Sequence, residues 1–250
     1  MVKLQSYGLK SLISLILLMM PAPSVATGQE KAPALPEMKM YYLTLLSRGP
    51  KWTPEQTPET ERIQGEHMKH IQKMAGDGKL VAAGPITDGG QLRGIFIFGV
   101  SSIEEAKALA DSDPAVKAGR LAVEVHPWMS QKGIGERIAA QVKANPQANF
   151  EMTTYQLGLA HRGPKATTES TPESKQLQAD HLSNIFKLIG SGKLGAAGPC
   201  MDGGNLNGVF MFQVGSMEEA KALVDGDPFV KAGIIVVELH PWMAAKGTMP

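Results

Sequence analysis

The feature that most constrains this chain is that it says the same thing twice. Gly84-Pro85, Asp88-Gly89-Gly90, Gly94 to Phe98, Glu104 to Leu109, Asp113-Pro114 and His126-Pro127-Trp128-Met129 form one series. Gly198-Pro199, Asp202-Gly203-Gly204, Gly208 to Phe212, Glu218 to Leu223, Asp227-Pro228 and His240-Pro241-Trp242-Met243 form the second, at a constant offset of 114 residues. No gap opens between Arg48/Arg162 and Gly133/Gly247, and more than half of the aligned positions are identical. A period of this length is a duplicated domain. The 250 residues therefore divide into two small domains, each with room for one modest core.

Residues 1–26 read as a secretory signal peptide: Lys3 and Lys10, then the apolar run Ser11 to Met20, then small residues at Ser24 and Ala26. The apolar run is too short to span a bilayer. Cleavage after Ala26 would release a periplasmic or secreted protein with no membrane attachment. Residues 27–38 form a flexible lead-in. The first domain is expected at 39–129, a linker with a short helix near Ile134 to Lys143 at 130–150, and the second domain at 151–246. A net charge of +1 gives no reason to expect a nucleic-acid partner. The lone Cys200 excludes an intramolecular disulfide and reads as a small apolar filler at a strand end.

Within each copy the pattern is β-α-β-β-α-β, a ferredoxin-like α+β unit. A β-prone run from Met40 to Ser47 ends at Arg48-Gly49-Pro50. Thr57-Pro58-Glu59 starts a helix, with Thr as N-cap and Pro at the first helical position, and Thr171-Pro172-Glu173 repeats the signal. Ile63, His67, Ile71 and Met74 share one stripe of that helix. Leu80 to Ala83 and Gly94 to Val100 are strands about a turn. Ser102 to Glu105 is a capping box opening a second helix, which Asp113-Pro114 breaks. Leu121 to Val125 is the last strand, closed by His126-Pro127-Trp128. Phe96 and Phe98 point to one side of their strand and Ile95 and Ile97 to the other, so both sheet faces need cover. The two copies are expected to pack sheet against sheet within the chain, as a barrel with an internal pseudo-two-fold, either as a monomer or with further pairing as a homodimer.

At His67 and His181, Gly-Lys-Leu leading to Ala-Gly-Pro (Gly78 to Pro85, Gly192 to Pro199), Glu-Glu-Ala, Asp-Pro and the closing Pro-Trp, the chain resembles the YciI-like (YCII-related) family of the dimeric α/β-barrel superfamily. The resemblance implies the ferredoxin-like fold, sheet-to-sheet pairing and a His–Asp active site. One relative eliminates chloride from a chlorinated hydroxyhydroquinone. An aromatic often follows Asp-Pro in that family; Phe229 supplies it in the second copy, whereas the first has Ala115.

The candidate catalytic residues are His67 and His181, with Asp88, Asp202, Asp113 and Asp227 as carboxylates near them. A carboxylate on one imidazole nitrogen fixes the tautomer and leaves the other nitrogen to move a proton. Within one copy, the turn carrying Asp88 and the end of the second helix at Asp113 lie at the end of the sheet where the first helix begins. Asp-Gly-Gly is also ordinary turn chemistry, and Asp-Pro also caps helices, so the residue types leave the choice of carboxylate open. Arg48 and Arg162 end the first strand of each copy and could meet an anionic substrate. His126 and His240 are expected at the far end of the sheet as structural residues, and His70 and His161 on the surface. No third ligand stands at metal-binding spacing, and no glycine loop leads into a helix as phosphate binding requires, so no metal or cofactor is expected. These residues suit a cofactor-independent lyase or isomerase moving a proton on a small, aromatic or cyclic molecule. The competing reading is a periplasmic small-molecule-binding or scaffold protein without turnover.

Overall fold

The computed structural model describes residues 36–145, 148–167 and 169–250; the expected signal peptide and most of the lead-in lie outside them. The first copy runs β1 (Met38–Arg48), α1 (Pro58–Gly76), β2 (Leu80–Pro85), β3 (Leu92–Phe98), α2 (Ile103–Asp111), α3 (Pro114–Lys117) and β4 (Leu121–Gln131). A connecting helix α4 (Glu136–Ala144) leads to β5 (Met152–Arg162), α5 (Pro172–Gly190), β6 (Leu194–Pro199), β7 (Leu206–Phe212), α6 (Met217–Gly226), α7 (Pro228–Lys231) and β8 (Ile235–Ala245). Each copy forms one antiparallel sheet, ordered β2-β3-β1-β4 and β6-β7-β5-β8.

Local chemistry explains most element ends. Thr57 accepts from the amide of Thr60, and the Thr60 hydroxyl accepts from the Thr57 amide, a reciprocal cap that Thr171 and Ser174 repeat. Ser102 caps α2 through the Glu105 amide, but the Glu105 carboxylate turns to Ser101 and Lys79 instead of closing the expected box. Asp113-Pro114 does more than break a helix: it starts α3, with Asp113 as N-cap. The last strand does not stop at His126-Pro127-Trp128 but runs on to Gln131, because Pro127 faces Tyr42 and Trp128 faces Tyr41 on the neighbouring strand.

The period-two alternation sorts side chains between two cores. Tyr42, Leu46, Phe96 and Phe98 pack under α1 and α2. Tyr41, Leu43, Ile95, Ile97 and Trp128 face the other sheet, where they meet Tyr155, Leu157, Val209, Met211 and Trp242 in one continuous core. Each fully buried side chain of this size contributes roughly 1.5–3 kcal/mol, so a lone copy would forfeit its largest store of stability.

The seam is also tied by backbone. Ile86 bridges to Trp242 and Cys200 to Trp128. The Thr87 amide donates to the Pro241 carbonyl at 3.0 Å, and the Met201 amide to the Pro127 carbonyl at 2.8 Å. The glycine of each Ala-Gly-Pro makes this approach possible. A Cβ on Gly84 would lie 2.0 Å from the Met243 carbonyl oxygen, and one on Gly198 1.8 Å from that of Met129.

Candidate active site

α1 carries His67 inward onto its apolar stripe, over Phe96 of β3, with ring centroids 6.0 Å apart. The α2–α3 junction delivers Asp113 to the same place. Its Oδ1 accepts from the Ala115 amide at 2.8 Å, and the residue is fully buried. Nδ1 of His67 stands 2.9 Å from Oδ1 and 2.8 Å from Oδ2 of Asp113. A carboxylate only accepts, so Nδ1 carries a proton, and in the neutral ring Nε2 is then the nitrogen with the lone pair. Among the described residues Nε2 has no hydrogen-bond partner.

The second copy repeats this contact and adds to it. Nδ1 of His181 lies 2.9 and 3.0 Å from the oxygens of Asp227. Asn184, which stands where the first copy has His70, donates to Oδ2 of Asp227 at 2.9 Å, and the Phe229 amide donates to Oδ1. Burial pushes the Asp227 carboxyl up, but the His181, Asn184 and Phe229 donors outweigh it and hold the group below the usual carboxylate range. Asp113 keeps its backbone amide donor but has no counterpart of the Asn184 side chain, because His70 stands there and is turned to the Leu109 carbonyl and the Ser112 hydroxyl. His70 is therefore a half-buried clasp between helices and not the surface residue the sequence led us to expect. His161 is also half-buried, 3.4 Å from the Asn205 amide nitrogen.

The two histidines differ most in what faces the ring. Phe229 lies flat on His181, with centroids 4.2 Å apart and planes 2° from parallel. Ala115 holds the equivalent place in the first copy, and there a cavity of about 750 Å³ opens, lined by His67, Ile63, Phe96, Ala115, Arg93 and Arg120. The hollow beside Asp227 measures about 10 Å³. The sequence pattern made the second copy look the more complete; the space lies in the first.

The aspartates of the Asp-Gly-Gly turns are not at His67 and His181. Asp88 accepts from Nδ1 of His240 at 2.7 Å, and Asp202 from Nδ1 of His126 at 2.7 Å. Sheet-to-sheet packing lays the β2–β3 turn of one copy against the end of the last strand of the other, so the expected separation of His126 and His240 from the aspartates fails. The hydrogen bond from His240 holds the Asp88 carboxyl below its ordinary range. Burial works against this at Asp202, but the His126 and Gly204 donors prevail there too. On the other nitrogen, Nε2 of His240 lies 3.1 Å from Glu238 and Nε2 of His126 3.2 Å from Glu124, neither as an aligned hydrogen bond. Four chain segments are thereby clamped across the seam.

Arg48 does not offer its guanidinium to the cavity. It donates to the Gly89 carbonyl at 2.7 Å and stacks on Trp52, 3.9 Å from the ring centre. Arg162 is exposed at the end of β5. The arginines that do line the cavity are Arg93 and Arg120, beside Trp52, whose ring is 3.9 Å from Arg48 and 6.0 Å from Arg93. One signal could have found them: they break the repeat, standing where the second copy has Asn207, Ile234 and Ala166. Cys200 sits half-buried at the seam, its thiol pushed up to about 12 by burial and by the nearby Asp202 charge, which suits a packing role and not a nucleophile. Among the described residues no group of three or more His, Cys, Asp or Glu could hold a metal ion.

The YCII-related domain matches twice, over residues 40–129 and 157–243. No curated protein matches the chain. An arginine-to-lysine variant of chlorite dismutase from Candidatus Nitrospira defluvii superimposes with a TM-score of 0.56 at 9% identity, covering 84% of this chain and 93% of that one. A tryptophan-to-phenylalanine variant of the same enzyme in complex with cyanide gives 0.54 at 10% identity, covering 84% and 92%. At such identities the likeness is one of fold alone.

Proposed function

Because the chain belongs to the YCII-related domain family in both its halves, we propose that it is an enzyme whose working centre is the first copy, with His67 as the proton-transferring base. One observation carries this reading: a buried carboxylate holds Nδ1 of His67 while Nε2 has no hydrogen-bond partner among the described residues and lies beside a cavity of about 750 Å³. The volume suits a small organic molecule. Asp113 fixes the tautomer and stabilises the imidazolium formed when Nε2 takes a proton from carbon or oxygen of the substrate. The same imidazolium then returns the proton to a second position or to a leaving group, which is isomerisation or elimination, and these residues complete that cycle without a bound group. The segment before residue 27 supports a place outside the cytoplasm.

The test is hydrogen exchange. The full chain is incubated in ²H₂O with small phenols, lactones and enolisable carbonyl compounds, and C–H loss is followed by proton NMR. His67→Gln should slow exchange at least about a hundredfold, the usual scale for a positioned acid–base group, with the thermal midpoint little changed. Equal exchange by the variant would defeat the assignment. A binding role without turnover is favoured by one fact: Asp113 also caps α3, so its bond to His67 has a structural use. That reading predicts a large loss of thermal stability in His67→Gln.

A further inference from the structure

We propose that the first copy's cavity takes a planar organic anion, its ring seated where Phe229 sits in the second copy and its carboxylate or phenolate held by Arg93 and Arg120. This deepens the reading of the His67 cleft as the working site and rests on it.

Three observations converge. First, the second copy contains its own model of the occupant. Phe229 stacks on His181 at 4.2 Å and 2°, and the corresponding Ala115 leaves that volume vacant beside His67, on the cavity wall. The two imidazoles are not set identically, since His67 lies 24° from the plane of Phe96 and His181 72° from that of Phe210, so the recess rather than a fixed ring pose carries the comparison. Second, the cavity is lined by two guanidinium groups that are not ion-paired to a carboxylate among the described residues. Arg120 donates to the Thr53 carbonyl at 3.0 Å, and Arg93 stands 6.0 Å from the Trp52 ring centre. Neither forms an ion pair among the described residues. Glu55 and Glu61 also line the cavity, both exposed to solvent. Third, the special residues occur once. Trp52, Arg93 and Arg120 become Ala166, Asn207 and Ile234 in the second copy, in a repeat that is otherwise more than half identical. The sheet, helices and His–Asp contact of the second copy form without them; in the first copy Arg120 also ties down the loop at Thr53, and Arg93 and Arg120 line the cavity. Arginine matches a planar carboxylate with two parallel donors, and Trp52 lies 3.9 Å from the Arg48 guanidinium and 6.0 Å from that of Arg93.

The full chain is titrated by calorimetry and ligand-observed NMR with benzoate, 4-hydroxybenzoate and cinnamate, and with the amide of each. At least one carboxylate should saturate at one per chain, with its amide bound at least about tenfold more weakly, the loss expected when a charge-assisted bond becomes neutral. The double variant R93Q/R120Q should weaken the carboxylate by a similar factor and leave the amide unchanged. A115F, which copies the second site into the first, should abolish binding. F229A should open a second site that accepts the amide as well as the acid. The proposal is overturned if no carboxylate saturates at millimolar concentration, if the amide binds as well as the acid, if R93Q/R120Q binds as the parent does, or if F229A gains nothing. H67Q separates the two readings. Carboxylate binding retained in H67Q, with no hydrogen exchange by the parent, leaves the ligand class standing and removes the proton-transfer role. Exchange on neutral compounds without carboxylate binding does the reverse.

Discussion

Adding one methyl group to Gly198 should destabilise this protein, and adding one to Gly65 should stabilise it. A Cβ on Gly198 would sit 1.8 Å from the Met129 carbonyl oxygen, where real contacts do not fall below 3.0 Å, so the sheets must part by more than an ångström. Two seam hydrogen bonds lie in the path: Trp128 Nε1 to the Gly198 carbonyl at 3.1 Å, and the Met201 amide to the Pro127 carbonyl at 2.8 Å. At about 1 kcal/mol net for each bond and about 1–3 kcal/mol for overpacking against a closed core, Gly198→Ala costs about 3–5 kcal/mol. Gly84→Ala meets the Met243 carbonyl oxygen at 2.0 Å, but the Trp242 indole nitrogen has no bond to lose, so its cost should be lower by about 1 kcal/mol. Gly65 lies exposed inside α1 with nothing within 4 Å of a new Cβ, and alanine there should add up to about 1 kcal/mol from helix propensity. Urea midpoints of the three variants, read at constant slope, check the ordering. A Gly198→Ala protein within 1 kcal/mol of the parent would show that the copies are not in close backbone contact, and the account of the seam would fail.

The remaining predictions concern charge and reactivity. Removing His181 should leave hydrogen exchange intact, because its ring is already covered by Phe229; loss of exchange in His181→Gln, measured beside His67→Gln, would move the working site to the second copy. Asp88, Asp202 and Asp227 ionise more readily folded than unfolded, so the unfolded chain binds protons first as pH falls. Their stabilisation is complete above the unfolded carboxylate value of about 4 and drains away as pH drops through the lower folded values. A pH series of urea midpoints should therefore fall less steeply on the acid side for Asp88→Asn/Asp202→Asn than for the parent, and parallel curves would remove these groups from the account. Cys200 should resist iodoacetamide at pH 8 in the native chain and react at once in urea; equal rates would mean the seam is open.

Much of the fold was legible in the sequence because it depends on local signals and on alternation. The Thr-Pro-Glu starts fixed both long helices, and Ile95/Phe96/Ile97/Phe98 announced that both sheet faces would be covered. The α3 turn was hidden because Asp-Pro serves equally as a stop and a start. The candidate site was half legible. His67 and Asp113 are brought together by the helix stripe and an N-cap, both local features. Asp88 was misplaced because its partner, His240, belongs to the other copy, and only packing between the sheets sets that pairing. Arg93, Arg120 and Trp52 carry no repeat signal, because they stand at positions where the copies differ, while His67 and Phe96 on the same cavity wall are shared.

Joining both copies through α4 has a consequence beyond holding them together. In a pair of separate identical chains, every substitution appears on both sides of the axis, so filling one recess fills its twin. Here Phe229 and Ala115 occupy equivalent positions in one polypeptide. A single gene can therefore keep one half as ballast and reserve the other for ligands, a division of labour that a symmetric assembly is denied.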